Sequence, residues 1–277
     1  MAPQRRNTEK TSSAARNAPG RKPAGSRSSA TGAQAREGWI WGRHAVMAAL
    51  ANKRRQTLSL HVTRNAHSEL GDEDKTLASV ELPPMISKLL PDGAVHQGFA
   101  LKTTALEAES LNAVREPTHG LLLVLDQITD PQNVGALMRS ATAFGARAII
   151  MQDRKSPPVF GALCKASVGC SETLAHVRVT NIADTLIDLR KAGRTVIGLA
   201  GEGPHALADC VERHAGPGLV LVMGAEGAGL RPRVAEHCDY LAKIPMSPKA
   251  ESLNVSAAAA VALYECSRHD PRINNQS

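Results

Sequence analysis

Three short polar stretches in the second half of the chain hold the residue types best suited to chemistry. The first is Asp130-Pro131-Gln132-Asn133-Val134-Gly135, followed by Arg139. The second is Gly224-Ala225-Glu226-Gly227-Ala228-Gly229, and the third is Glu251-Ser252-Leu253-Asn254. Together they offer three amides, a hydroxyl, three carboxylates and a guanidinium, which can orient a hydroxyl group or frame a small polar ligand. Each also has a plainer reading. Ser252 or Asn254 can cap the helix that follows, and Asn133 can cap a helix beginning at Val134. Glu226 can form a loop ion pair, with Arg139 among its possible partners, and Arg139 can be a surface residue.

Several familiar chemistries are missing. Gly224, Gly227 and Gly229 give G-x-x-G-x-G, late in the chain, and not the dinucleotide fingerprint G-x-G-x-x-G. No G-x-x-x-x-G-K-[ST] loop and no G-x-S-x-G elbow occur. No His/Cys/Asp cluster has ligand spacing, so no metal is expected.

The elements around these stretches read as alternating strand and helix. Leu121-Leu122-Leu123-Val124-Leu125 is a continuous apolar run, as a parallel strand covered on both faces requires. Further strands are expected over 148–151, 195–200, 219–223 and 240–244. Helices are expected over 134–144, 159–168, 182–192 and 233–238. A last helix over 255–264 is apolar nearly all round and so should be buried. The pattern predicts an α/β fold, an open parallel sheet with helices on both faces. Ligands in such sheets bind beyond the carboxyl ends of the strands, where all three polar stretches fall.

Residues 37–103 read as a smaller α/β domain, with a helix over 42–50 and strands over 58–62 and 94–101. His96 and Gln97 could touch RNA or simply face water. Residues 104–119 read as a short helix and linker. Residues 1–36 hold eight of the 33 basic residues and one of the 26 acidic ones, leaving 25 of each in the remainder. This stretch has almost no large apolar residue and is expected to be a disordered basic tail suited to a polyanion such as RNA. It lacks the apolar core of a secretory signal. Its Arg- and Ser-rich, acid-poor composition leaves a mitochondrial transit peptide as the alternative to a cytoplasmic tail. No apolar run reaches the ~18 residues of a membrane span. The five scattered cysteines lack any C-x-x-C pair, which fits a reducing compartment better than a disulfide framework. Aromatic residues make up only 3%, which argues against an RNA surface built on stacked rings.

Taken together, Asn133-x-Gly135-x-x-x-Arg139, then Met223-Gly224-x-Glu226-Gly227-x-Gly229, then Ile244-Pro245-Met246 followed by Glu251-Ser252-Leu253-Asn254-Val255-Ser256, resemble the SpoU/TrmH ribose 2′-O-methyltransferases. The match covers about 120–268. Trp41-Gly42-Arg43-His44-Ala45-Val46 and Asp92-Gly93-Ala94-Val95-His96-Gln97-Gly98 resemble the substrate-binding domain of that family's 23S rRNA guanosine methylases. The resemblance implies an S-adenosylmethionine-dependent enzyme of the SPOUT type, with a C-terminal trefoil knot and an L30e-like N-terminal domain. It also implies a homodimer packed through the knotted domain and an RNA partner, 23S rRNA. By the same resemblance, Asn133, Arg139, Glu226, Ser252 and Asn254 are the catalytic set. Leu199, Ala200, Gly201, Met223, Gly224, Ile244, Met246 and Leu253 are the cofactor set.

Within that set, Arg139 is expected to engage the target nucleotide and activate its hydroxyl. A guanidinium is a poor base, so a nearby phosphate held by Arg139 is the candidate proton acceptor. The other four residues form a frame that fixes Arg139. The chain departs from the pattern at Ser247-Pro248-Lys249-Ala250, where relatives often carry a Gly-containing flexible loop. Two other functions compete with this reading, namely the same chemistry on tRNA and a non-catalytic RNA-binding ribosome-assembly protein.

Overall fold

The computed structural model describes residues 37–116, 119–214 and 218–268. The basic tail at 1–36 and the final segment 269–277 lie outside them.

The first part of the chain forms β1 (Glu37–Trp41), α1 (Arg43–Ala51), β2 (Thr57–Val62), α2 (Arg64–Ser68), α3 (Asp72–Leu77), β3 (Ala78–Val80), α4 (Pro83–Ser87) and β4 (Phe99–Thr104). Its four strands lie in the order β1-β4-β2-β3. After α5 (Leu111–Arg115) come β5 (Leu122–Asp126), α6 (Pro131–Ala143), β6 (Ala148–Gln152), α7 (Gly161–Ser167), β7 (Ala175–Val179) and α8 (Ile182–Lys191). The chain ends with β8 (Thr195–Leu199), β9 (His205–Ala206), α9 (Leu207–Arg213), β10 (Leu219–Gly224), α10 (Pro232–Ala235), β11 (Tyr240–Lys243) and α11 (Val255–Ser267). These strands form a parallel sheet in the order β7-β6-β5-β10-β8-β11-β9.

The apolar runs of β5 and β10 are continuous because the sheet is covered on both sides. Leu123, Leu125, Leu221 and Met223 face one apolar cluster with residues of α6 and α11. Leu122, Val124, Val220 and Val222 face another with Ile182, Leu186 and Leu189 of α8. Successive residues of a strand point to opposite faces, so each strand needs apolar residues at every position.

The first cluster also includes Ile40, Leu60 and Phe99 of the smaller sheet, so one apolar core spans both sheets. A buried ion pair crosses the same boundary. Arg55 donates from Nε to Glu172 Oε2 at 2.8 Å and from Nη2 to Oε1 at 2.9 Å, with side chains 1% and 3% exposed. Its Nη1 donates to Thr104 O at 2.9 Å, and Asn52 Nδ2 donates to Glu172 Oε2 at 2.9 Å. The guanidinium stands 5.4 Å over the Phe160 ring. A buried pair with this many partners fixes geometry, and removing one partner from such a pair costs roughly 3–5 kcal/mol.

Several boundaries differ from the sequence-based expectations, each for a physical reason. The helix expected from Val134 begins at Pro131, because Asp130 caps it by accepting from the backbone N–H groups of Gln132 and Asn133. Asn133 is therefore no cap. In the expected strand over 94–101, only Phe99 onward is extended. Gln97 (φ 54°) and Gly98 (φ 85°) turn the chain just before it. Helix α7 starts two residues later than expected, at Gly161. Strands β1, β3, β7 and β9 and helix α9 carried no clear signal. In Ala175-His176-Val177-Arg178-Val179, for example, two polar residues, His176 buried and Arg178 half-buried by the fold, interrupt the apolar pattern. Helix α11 is not buried all round, since Val261 is 45% and Tyr264 55% exposed. An alanine-rich segment has no periodicity to show which side faces the core.

Candidate active site

A cavity of about 260 Å³ opens at the carboxyl edge of the parallel sheet, where β8, β10 and β11 end. Its size is near the lower end of the ~300–1,000 Å³ range of small-molecule sites. All eight residues of the expected cofactor set line it: Leu199, Ala200, Gly201, Met223, Gly224, Ile244, Met246 and Leu253. Glu226 and Ser252 line it as well.

The walls come from strand ends and the loops that leave them. Beyond β10, Ala225 and Gly229 form an isolated bridge that doubles the glycine stretch back on itself. The turn requires glycine at position 224. A Cβ there would lie 2.2 Å from Gly229 C and 2.3 Å from Gly229 O. Across the cavity, Ala200 N donates to Ala242 O at 2.9 Å and ties the end of β8 to β11. Glycines, alanines and larger apolar side chains such as Leu199, Met223 and Ile244 thus dominate the lining, with Glu226, Glu251 and Ser252 among them. That suits a ligand with an apolar body whose polar edges are read by backbone, and S-adenosylmethionine fits this donor set.

Beside the cavity lies a polar frame. Asn254 caps α11, its Oδ1 accepting from Ser256 N at 2.9 Å. Its Nδ2 donates to Glu226 Oε1 at 2.6 Å. The same carboxylate oxygen accepts from Val255 N at 3.2 Å and Asn133 Nδ2 at 3.4 Å. Asn133 Oδ1 accepts from Ser256 Oγ at 3.0 Å. Asn133, Glu226 and Asn254 therefore meet, although they are 93 and 28 residues apart from one to the next. Ser252 lines the cavity and has no bond to this frame. Arg139, exposed on α6, makes no hydrogen bond or ion pair with any of them.

Sequence reasoning missed three contributors. Ser256 orients the Asn133 amide, and its signal was the Asn254-Val255-Ser256 spacing at a helix start. Asp126 ends β5 with no exposure at all. It accepts from Arg231 N at 3.0 Å and from Arg231 Nε at 2.8 Å. This bidentate pair holds the far end of the glycine loop against the strand that leads to Asn133. A charged residue closing an all-apolar run was the available sign for Asp126. Nothing in the sequence marked Arg231 as its partner.

An open parallel sheet with a cavity at its carboxyl edge, and a hydrogen-bonded polar frame beside it, is the layout of an α/β protein with a small-molecule site at its strand ends. Residues 120–264 match the SpoU rRNA Methylase family. The chain belongs to the SpoU rRNA methylase family. It is 36% identical over 242 residues to the 23S rRNA (guanosine-2′-O-)-methyltransferase RlmB of Vibrio vulnificus, spanning 83% of this chain and 96% of that protein. The enzyme of the same name from Pseudomonas putida is 42% identical over 180 residues, spanning 63% of this chain and 71% of that protein. Among solved structures, the AdoMet-bound rRNA methyltransferase of Sinorhizobium meliloti superposes with a TM-score of 0.71 at 23% identity, covering 85% of this chain and 88% of that one. A TrmH-family RNA methyltransferase of Porphyromonas gingivalis superposes with a TM-score of 0.66 at 25% identity, covering 85% and 91%.

Proposed function

We propose that the protein transfers a methyl group from S-adenosylmethionine to the ribose 2′-hydroxyl of a guanosine in 23S rRNA. The observation that carries this reading is the meeting of Asn133, Glu226 and Asn254 at the rim of the cavity lined by the expected cofactor residues.

The cofactor, when bound, supplies a methyl group already activated by a sulfonium. The chain's task is then positioning and proton removal. Leu199, Ala200, Gly201, Met223, Gly224, Ile244, Met246 and Leu253 hold the cofactor. Glu226, fixed by Asn133 and Asn254, sets the rim against which the nucleotide packs, and Ser252 faces the same space. Arg139 stands free to take the target nucleotide. Its guanidinium would hold a phosphate placed to accept the 2′-hydroxyl proton.

The same reading assigns residues 37–103 to RNA substrate binding through an L30e-like domain, 104–119 to a linker and 120–268 to a knotted methyltransferase domain of SPOUT type. A homodimer through this domain is supported by the apolar residues Val261 and Tyr264 that α11 leaves exposed. No described helix is long and apolar enough to cross a membrane. A cytoplasmic location follows from the rRNA substrate.

Incubating the full chain with labelled S-adenosylmethionine and protein-free 23S rRNA, then mapping the product, tests the proposal. The expected product is one ribose-methylated guanosine. Methylation of tRNA alone would replace the substrate, and cofactor binding without any RNA methylation would overturn the catalytic reading.

A further inference from the structure

The loop that leaves β6 lies outside the motifs yet stands at the same edge of the sheet as the site. Strand β6 pairs in parallel with β5, Leu122 opposite Ala148 and Val124 opposite Ile150. Residues 153–157 therefore emerge beside the stretch that runs from Asp126 to Asn133, at the ~4.8 Å spacing of neighbouring strands. That stretch leads into α6, which carries Arg139.

The loop is built to hold its shape. Asp153 N donates to Val179 O at 2.9 Å, and Ser156 N donates to Gln152 O at 3.2 Å. Arg178, on β7, donates from Nη1 to Gln152 O at 3.3 Å and to Ser156 O at 3.2 Å, and from Nη2 to Pro157 O. Pro157 and Pro158 further restrict the backbone. Beneath the loop, Gln152 Oε1, Ser156 Oγ and Arg178 Nε are buried with no partner among the described residues.

At the tip, Arg154 and Lys155 are exposed, and neither meets an acidic partner among the described residues. Asp153 beside them is exposed and acts electrostatically on Arg178. Basic and acidic residues balance at 25 each over 37–277, so two adjacent unpaired cations at the carboxyl edge of the sheet are a local feature and not part of a general positive field.

We infer that Arg154 and Lys155, presented on this clamped loop, bind backbone phosphates of the RNA next to the nucleotide being methylated. The inference rests on the RNA-methylation reading above. Held cations lose little freedom on binding, and phosphate contacts of this kind add affinity and salt dependence without base preference.

The test compares the full-length wild type with Arg154→Ala/Lys155→Ala. RNA affinity and the KM for 23S rRNA are measured from 50 to 200 mM salt, with S-adenosylmethionine affinity as a check on folding. The control, Lys191→Ala/Arg213→Ala, removes two exposed cations at the helix ends that lead into β8 and β10, on the opposite edge of the sheet. The loop variant should raise KM roughly 10-fold and lower the log–log salt slope by about 1–2, near one for each phosphate left without its cation. The control should keep the wild-type slope. A wild-type slope and KM in the loop variant would overturn the inference and leave the RNA reading standing. An equal loss in the control would also overturn it, since any two charges would then serve. A wild type that neither binds nor methylates rRNA would bring down the RNA reading, and the inference with it.

Discussion

Asn254 donates its side-chain N–H to Glu226 Oε1 at 2.6 Å, joining the first turn of α11 to the glycine loop after β10. That one carboxylate oxygen also accepts from Val255 N and Asn133 Nδ2. Asn254 caps its helix with Oδ1 and grips Glu226 with Nδ2, so capping and site-building use opposite ends of one amide.

Glu226→Gln is expected to loosen this frame. An amide keeps one acceptor oxygen but loses the charge that strengthens all three bonds, and hydrogen bonds to charged groups contribute about 1.5–3 kcal/mol each. Because Glu226 is exposed, the fold should survive. We expect kcat/KM for RNA to fall roughly 10–100-fold with an unchanged circular dichroism spectrum. Wild-type kinetics would show that the frame has no part in turnover.

Arg139→Ala should separate binding from chemistry. Arg139 makes no contact with the cavity or the frame, so calorimetry should find S-adenosylmethionine affinity unchanged. Methyl transfer should drop by about 10²–10³ in kcat, as for loss of one group that stabilises developing charge. Near-normal turnover by the folded variant would remove Arg139 from the mechanism.

Gly224→Ala tests the cavity wall. The added carbon would lie 2.5 Å or closer to backbone atoms of Gly229 and Leu230, so the loop must shift. Cofactor affinity should fall at least about 10-fold, and the melting temperature should drop by a few degrees for a cost of ~1–3 kcal/mol. Gly71→Ala, where a Cβ meets nothing within 4 Å, is the matched control and should change neither.

The pH dependence of stability should report on His176. Burial first, then the charges of Arg178, Arg55 and Arg54, push its pKa down from 6.5 to about 4. The unfolded chain takes up a proton below about pH 6.5, and the folded chain does not until about pH 4. Stability is therefore full above the first value and lost as pH falls towards the second, by about 3 kcal/mol in all. Urea unfolding at pH 7.5 and 4.5 should show a loss in the wild type that is largely absent in His176→Leu. Equal losses in both proteins would rule out this ring as the source.

Much of the site was legible because its residues sit where local rules are strong. The apolar runs before Asp126 and Gly224 had to be buried strands, so the polar residues after them had to lie at one edge. Asn133, Glu226 and Asn254 stood out as polar residues at strand–helix junctions. What misled was local ambiguity. Asp130 and Asn133 are both good caps three residues apart, and only the placement of Pro131 at the first helical position decides between them.

The sequence by itself determined the open parallel α/β architecture and the methylase family, because apolar runs and short-range motifs are written into neighbouring residues. Only the tertiary structure decided which polar groups meet. The Asn133–Glu226–Asn254–Ser256 frame, the buried Asp126–Arg231 and Arg55–Glu172 pairs, and the isolation of Arg139 all depend on segments brought together by a sheet whose order is not that of the chain. Strand order is set by how distant apolar faces pack, and no local spacing encodes it.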